Sequence, residues 1–113
     1  MTEEFSRTQS LIGEKNFNKL KNSHIAVFGI GGVGGYVVEA LVRSGVGKID
    51  IIDNDYVSLS NINRQIIATH STVGRLKVDV MKERALDINP DIEITTFNTL
   101  YLPETANQFD FKK

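Results

Sequence analysis

The chain has 113 residues, which suits one small domain, and its 41% apolar and 24% charged content is that of an ordinary globular protein. Thirteen basic and 14 acidic residues give a formal net charge of −1, so overall charge provides no general attraction to nucleic acid or membranes. The lack of cysteine excludes disulfides, thiol nucleophiles and cysteine metal sites within these residues, and no apolar run reaches membrane-spanning length.

The first 30 residues predict a helical segment followed by a buried strand. The N-terminus is acidic and polar rather than a signal sequence, which favours a cytoplasmic protein without membrane association. Residues 5–22 are expected to form one or two short helices, with Phe17 and Leu20 facing one side. The unbroken apolar run "HIAVFGI" then has strand length and is typical of a strand buried on both faces of a parallel sheet.

A second helix and a second strand are predicted next. The helix should run from about Gly32 to Ser44, where Gly45 or Gly47 can end it. Its apolar stripe is expected to comprise four residues at helical spacing: Val33, Val37, Ala40 and Leu41. The run "KIDIIDND" that follows predicts the second strand.

The rest of the chain predicts a loop, a helix, a strand and a further helix. Residues 56–69 have the composition of a loop with room for one helical turn, and residues 71–90 predict a longer helix that ends near Pro90. The apolar stripe of this helix is formed by Val78, Met81, Ala85 and Ile88. Residues 91–98 alternate as a third strand, and residues 102–111 predict the last helix.

This alternation of strands and helices predicts an α/β fold with a parallel sheet and right-handed crossovers. The order corresponds to the first half of a doubly wound, Rossmann-like three-layer fold, preceded by the helical residues 1–22. We expect residues 1–113 to be the N-terminal part of a single domain, because three parallel strands leave two free edges and a small core. Free edges also favour dimers or larger assemblies.

A glycine turn between the first strand and its helix predicts a phosphate-binding site. Gly29, Gly31 and Gly34 form the GxGxxG pattern. The first glycine permits a tight turn, the second lets a phosphate approach the backbone, and the third lets helix and strand pack closely. A ligand-free glycine turn is the alternative, but a strand before it, a helix after it and an acid beyond it favour a nucleotide.

Asp53 is the expected ribose ligand. It lies 19 residues after Gly34, at the end of the second strand, where a carboxylate can accept hydrogen bonds from ribose hydroxyls. A turn or helix cap is the alternative role of such an aspartate. To this point the sequence fits NAD and ATP equally well, so an NAD-dependent oxidoreductase stays open.

The polar and cationic residues after Asp53 favour a reacting ATP. Asp55, Asn61, Arg64 and Gln65 follow in the loop. Lys77 comes in the next helix. Hydride transfer moves no phosphate charge, whereas attack of a carboxylate on the α-phosphate builds negative charge that Arg64 and Lys77 could stabilise. A surface ion pair for Arg64 and a solvated position for Lys77 are equally compatible with the spacing alone.

The stretches "GIGGVGG", "DNDYVSLSNINRQ" and "STVGRLK", in this order and spacing, closely resemble the ThiF/MoeB/HesA family of adenylating enzymes, which are related to the ubiquitin-activating enzymes. The resemblance runs from about Phe5 to the end of the chain and implies an ATP-binding adenylation domain. It implies that the three turn glycines line the ATP phosphates and that Asp53 holds the ribose. The residues around the triphosphate would be Asn61, Arg64, Gln65 and Lys77, and Asp55 is expected among the other ATP-binding residues.

The resemblance also implies a homodimer and a magnesium ion. Arg7 matches an N-terminal arginine of the family that reaches the ATP of the partner subunit. The family binds Mg²⁺ with an aspartate on a later strand, so no metal ligand is predicted within these 113 residues, and the fragment alone is expected to be inactive.

The acyl substrate is the open question at this stage. "FSRTQSLIG" and "NINRQI" are most similar to family members that activate a carboxylate on a modified adenosine of tRNA and then dehydrate it. The alternative is an adenylyltransferase for a ubiquitin-like sulfur carrier of the ThiF/MoeB type. Near-neutral net charge gives no independent support for tRNA.

Overall fold

Three parallel strands form one sheet in the computed structural model, which describes residues 5–99. The strands lie in the order β1-β2-β3, each pairing with the next in parallel. The elements in chain order are α1 (Ser6–Ile12), α2 (Glu14–Lys21), β1 (His24–Phe28), α3 (Val33–Ser44), β2 (Lys48–Ile52), a 3₁₀ turn (Leu59–Asn61), α4 (Lys77–Ile88) and β3 (Glu93–Phe97). The predicted α/β class and parallel sheet are confirmed, and the helix expected over residues 102–111 lies outside the described residues.

The central strand β2, rather than β1, is the buried one. Ile49 and Ile51 of β2 are fully buried, whereas the residues of β1 are only half-buried and Phe28 is 48% exposed. The expected burial of β1 on both faces is therefore wrong for the described residues, because β1 lies at an edge of their sheet with β2 as its one strand neighbour. The position of β1 at an edge of the sheet agrees with the expectation that three parallel strands leave free edges.

Helix α3 buries a different face from the predicted one. Its buried residues are Gly35, Val38 and Val42. The expected stripe is mostly turned outward, with Val33 78% and Val37 41% exposed. The reason lies in the glycine turn: the small residues at the start of α3 must face it, which rotates the neighbouring valines away from the core.

Helix α4 begins at Lys77, six residues after the predicted start. Before it, the Thr72 hydroxyl donates to the Ile67 carbonyl, and Gly74 adopts a left-handed φ of 91°. Leu76 then forms an antiparallel bridge with Tyr56, which is incompatible with helix. The predicted stripe is otherwise confirmed, since Val78, Met81 and Ala85 are buried and Ile88 packs against the core.

An ion-pair cluster joins α3 to α4 on the outside of this core. Glu39 accepts hydrogen bonds from Arg84 of α4 and, at 3.2 Å, from Arg43 of its own helix. The Arg84 hydrogen bond is the main cause of a lowered pKa of Glu39, and burial of the carboxyl opposes that shift. Of the helices within residues 5–99, none has the length and apolarity that spanning a bilayer requires.

We expect Glu39→Gln to reduce the fall in melting temperature that accompanies a change from pH 7 to pH 3. Because the folded pKa of Glu39 lies below its ordinary value of 4.5, the charged pair stabilises the fold above that value and is lost as pH falls through the folded pKa. Thermal melts from pH 7 to pH 3 would measure the loss. Glu83→Gln is the control, because the Glu83 side chain is 63% exposed against 14% for Glu39, so solvent weakens its pair with Arg75. If both variants reduce the pH dependence of the melting temperature equally, the Glu39–Arg84 pair is not its specific source.

Candidate functional site

The candidate site lies at the carboxyl edge of the sheet, where β1 and β2 end side by side. The glycine turn at residues 29–34 leaves β1, and Asp53 follows the last residue of β2. Because the two strands are parallel neighbours, their carboxyl ends bring these segments together. In open α/β sheets this edge is the usual place of ligand binding.

Two of the three pattern glycines are required by the backbone itself. Gly29 has a φ of 85°, in the left-handed region that favours glycine. A Cβ on Gly34 would lie 1.8 Å from the Gly29 carbonyl oxygen, so no side chain fits where α3 leaves the turn. These positions have the steric roles that the sequence predicted for them.

Gly31 has a different role, because it faces side chains of the site. A Cβ there would lie 3.1 Å from Nε2 of Gln65 and 3.4 Å from Nζ of Lys77. The backbone of the turn, an amide side chain and an ammonium group therefore meet at Gly31. The two side chains come from a loop and a helix more than 30 residues further along the chain.

The Asp53 carboxylate ties the glycine turn to the segment after β2. Its Oδ2 accepts a 2.8 Å hydrogen bond from the backbone N–H of Ile30, and its Oδ1 accepts one of 2.7 Å from the N–H of Asp55. Asp53 is only 8% exposed. A carboxylate has about four acceptor positions, so two remain for ribose hydroxyls. Sequence reasoning missed the Ile30 donor, because a main-chain N–H leaves no signature in residue type.

Lys77 is a buried cation with one weak partner. Its side chain is 7% exposed, and its Nζ lies 3.8 Å from Oδ2 of Asp55, whose side chain is 69% exposed. The backbone carbonyl of Asp55 also accepts the Lys77 N–H at 3.0 Å, which fixes where α4 begins. A buried ammonium with a single distant, solvated partner is suited to an anionic ligand.

Gln65 supplies an unused acceptor beside the same glycine. It is 8% exposed, and its Oε1 is buried without a hydrogen-bond partner within the described residues. Its position is set by the 3₁₀ turn, in which the Asn61 carbonyl accepts the Gln65 N–H at 2.9 Å. Asn61 is itself buried, and its Oδ1 accepts the Ser58 N–H. Phosphate oxygens accept hydrogen bonds, so the groups that fit a nucleotide phosphate here are the Nε2 of Gln65, which faces Gly31, and the buried Lys77 ammonium; the Oε1 of Gln65 needs a donor instead.

The two predicted arginines are not brought into this cluster by any described contact. Arg64 is exposed, and its guanidinium donates to the Ser60 carbonyl at 3.0 Å and to the Asn63 side chain at 3.1 Å. Arg7 is exposed on α1. Within residues 5–99 no group of three or more metal-ligating side chains occurs.

Comparisons with known proteins identify the family of this chain. A sequence profile of the ThiF family matches residues 5–111. The tRNA threonylcarbamoyladenosine dehydratase of Bacillus subtilis (strain 168) is 50% identical over 109 residues, which cover 96% of this chain and 43% of that protein. "Adenylyltransferase and sulfurtransferase UBA4" of Lodderomyces elongisporus is 43% identical over 79 residues, which cover 70% of this chain and 17% of that protein.

The fold is also similar to a solved structure with a bound nucleotide. The crystal structure of Escherichia coli tRNA N6-threonylcarbamoyladenosine dehydratase, TcdA, in complex with ATP matches with a TM-score of 0.90 at 43% identity. The match covers 93% of this chain and 43% of that one. The chain therefore spans less than half the length of these relatives.

Two alanine substitutions should separate ligand binding from folding in the glycine turn. Gly31→Ala places a Cβ against the movable ends of Gln65 and Lys77, so we expect a melting temperature within a few degrees of the parent but ATP binding weakened about 10-fold or more. Gly34→Ala meets a backbone carbonyl and should destabilise the fold by about 3 kcal/mol or more. Calorimetry measures the melting temperature of each variant, and ATP titration measures its affinity. An equal fall in melting temperature for the two variants would contradict this separation of binding from folding.

Asp53→Ala should cost stability as well as affinity. The substitution leaves the buried N–H of Ile30 and the part-buried N–H of Asp55 without their acceptor, at about 1–3 kcal/mol for the buried group and less for the other, which water can reach. Denaturant unfolding measures this cost. Loss of ribose contacts alone would weaken adenosine and ATP by the same factor, whereas a displaced glycine turn weakens ATP further. If stability is unchanged and the affinities for adenosine and ATP fall by the same factor, Asp53 does not anchor the glycine turn.

Proposed function

This chain belongs to the ThiF family, and on that premise we propose that the protein containing it adenylates a carboxylate with ATP, as a tRNA threonylcarbamoyladenosine dehydratase. The buried Lys77 ammonium and the Nε2 of Gln65 around Gly31 carry the proposal, because both groups donate and so offer a phosphate group a charge and hydrogen bonds in one place. The high identity to dehydratases over nearly the whole chain supports the substrate. Residues 1–113 would then be the N-terminal part of one adenylation domain.

The bound nucleotide supplies an electrophilic α-phosphorus and pyrophosphate as the leaving group. Asp53 orients the ribose with the acceptor positions that its two backbone bonds leave free. The start of α3 would receive a phosphate, since a helix N-terminus carries partial positive charge. Lys77 then stabilises the negative charge that develops when the substrate carboxylate attacks and the bond to the β-phosphate breaks.

The remaining residues have roles that the resemblance suggests. Asn61 holds the loop that carries Arg64 and Gln65. For Arg64 to reach a phosphate, its guanidinium has to exchange the Ser60 carbonyl for the ligand, a change of rotamer on an exposed side chain. Arg7 would act across a homodimer, on the partner's nucleotide. Mg²⁺ would neutralise the pyrophosphate from ligands outside the described residues, and a tRNA substrate agrees with a cytoplasmic protein.

Adenylation of a ubiquitin-like sulfur carrier is the second candidate. It rests on the identity of 43% to a UBA4 adenylyltransferase over 70% of this chain. Both candidates share the first chemical step and differ in the protein or RNA that brings the carboxylate. A nicotinamide oxidoreductase is disfavoured, because hydride transfer builds no new negative charge at the phosphates for a buried lysine to stabilise.

Substrate-dependent pyrophosphate release by the full-length protein tests the proposal. Threonylcarbamoyl-modified tRNA and a carrier protein ending in Gly-Gly should be offered separately with ATP and Mg²⁺. We expect release with the tRNA, and a fall of about 10²-fold or more in Lys77→Ala and in Arg64→Ala, the scale for losing one charge-stabilising donor. Lys82→Ala is the matched control, as a lysine of the same helix that makes no ion pair within the described residues.

The outcomes separate the candidates. Release with the carrier alone would replace the dehydratase by the adenylyltransferase, and NAD binding without any release would reject adenylation altogether. An unchanged rate in Arg64→Ala would remove that residue from the chemistry while leaving Lys77 in place.

A further inference from the structure

Exposed aromatic side chains concentrate around the candidate nucleotide site. Within residues 5–99, the three aromatic residues that are about half exposed or more lie on segments at the carboxyl edge of the sheet: Phe28 (48%), Tyr36 (54%) and Tyr56 (62%). Phe5 and Phe17, by contrast, are each 6% exposed and pack together with ring centroids 6.0 Å apart. Isolated exposed apolar residues are ordinary, but their confinement to one edge calls for an explanation.

Both tyrosines are held on backbone that the site already fixes. Tyr36 comes two residues after Gly34, at the start of α3, where the glycine turn sets the direction of the helix. Tyr56 directly follows Asp55, whose N–H and carbonyl bond Asp53 and Lys77, and its backbone is bridged to Leu76. Rigid backbone under an exposed ring is the arrangement of a preformed contact surface.

The chemistry of the proposed substrate fits such rings. A base that reacts with ATP has to lie outside a duplex, and in a single-stranded loop the nucleotides next to it also have open faces. Such bases stack on aromatic side chains whatever their identity. Residues 1–113 have a formal net charge of −1 and so offer no general attraction to the phosphate backbone, whereas stacking is a source of affinity that needs no charge.

We propose that Tyr36 and Tyr56 stack against unpaired bases of the tRNA substrate that flank the reacting nucleotide. The inference rests on the proposed function and adds to it a substrate-contact surface, separate from the groups that hold ATP. Stacking requires the ring and tolerates loss of the hydroxyl. Phenylalanine should therefore replace either tyrosine, and leucine, which keeps the apolar volume without the ring, should not.

Binding of fluorescently labelled modified tRNA to the full-length protein tests the inference by anisotropy. Tyr36→Ala and Tyr56→Ala are each expected to weaken binding about 5-fold or more, with the leucine variants close to alanine and the phenylalanine variants close to the parent. Leu11→Ala is the control, because Leu11 is 86% exposed on α1. ATP titration without tRNA and the melting temperature should stay unchanged in all variants.

Each result that contradicts base stacking has its own interpretation. Leucine variants that bind tRNA as well as tyrosine would overturn stacking, and variants that bind normally but lose self-association by light scattering would assign the rings to a second copy of the chain. Parent protein that releases pyrophosphate with tRNA while every tyrosine variant binds it normally would refute this inference alone. Parent protein that neither binds tRNA nor responds to it would refute the proposed function as well.

Discussion

The candidate site depends on one carboxylate. Asp53 accepts a backbone N–H from the glycine turn and another from Asp55, and it does so at the carboxyl end of the most buried strand. Asp55 in turn accepts the first N–H of α4. The turn, the loop and the helix that carries Lys77 therefore share one hydrogen-bonded frame. A buried hydrogen bond is directional and costly to leave unmade, so this frame fixes the relative positions of groups that lie far apart in the sequence.

The placement of Lys77 opposes two physical preferences. A cation in the first turn of a helix is unfavourable, because that end already carries partial positive charge. Burial of an ammonium is also unfavourable unless a partner compensates it, and the Asp55 carboxylate is both 3.8 Å away and mostly in solvent. An anion beside Gly31 would relieve both penalties at once. This unfavourable position supports a ligand-binding role more directly than the presence of a lysine at that spacing does.

The sequence predicted those parts of the molecule that local rules control. The parallel order follows from alternating strands and helices, and Gly29 and Gly34 have roles set by sterics. The errors have tertiary causes. The face of α3 is chosen by its contact with the glycine turn, so an apolar stripe alone misidentified it, and the late start of α4 reflects the bridge between Tyr56 and Leu76. The ribose contact of Asp53 and the phosphate contact of Arg64 stay predictions, the first from position and the second from residue type and the family resemblance; the described contacts of Asp53 include two backbone N–H groups, and those of Arg64 are acceptors in its own turn.

The proposed nucleotide binding and the proposed adenylyl transfer place different demands on this fold. The contacts that position Asp53, Gln65 and Lys77 all fall within residues 29–77, and they run through β1, β2 and the start of α4. They do not involve the outer edge of β1, so these groups are positioned without a further strand beside it. The proposed transfer would develop negative charge on the phosphates, and Lys77 is the one buried cation among the described residues. Arg64 could add a second charge only after a change of rotamer, because its guanidinium donates to the Ser60 carbonyl and to the Asn63 side chain.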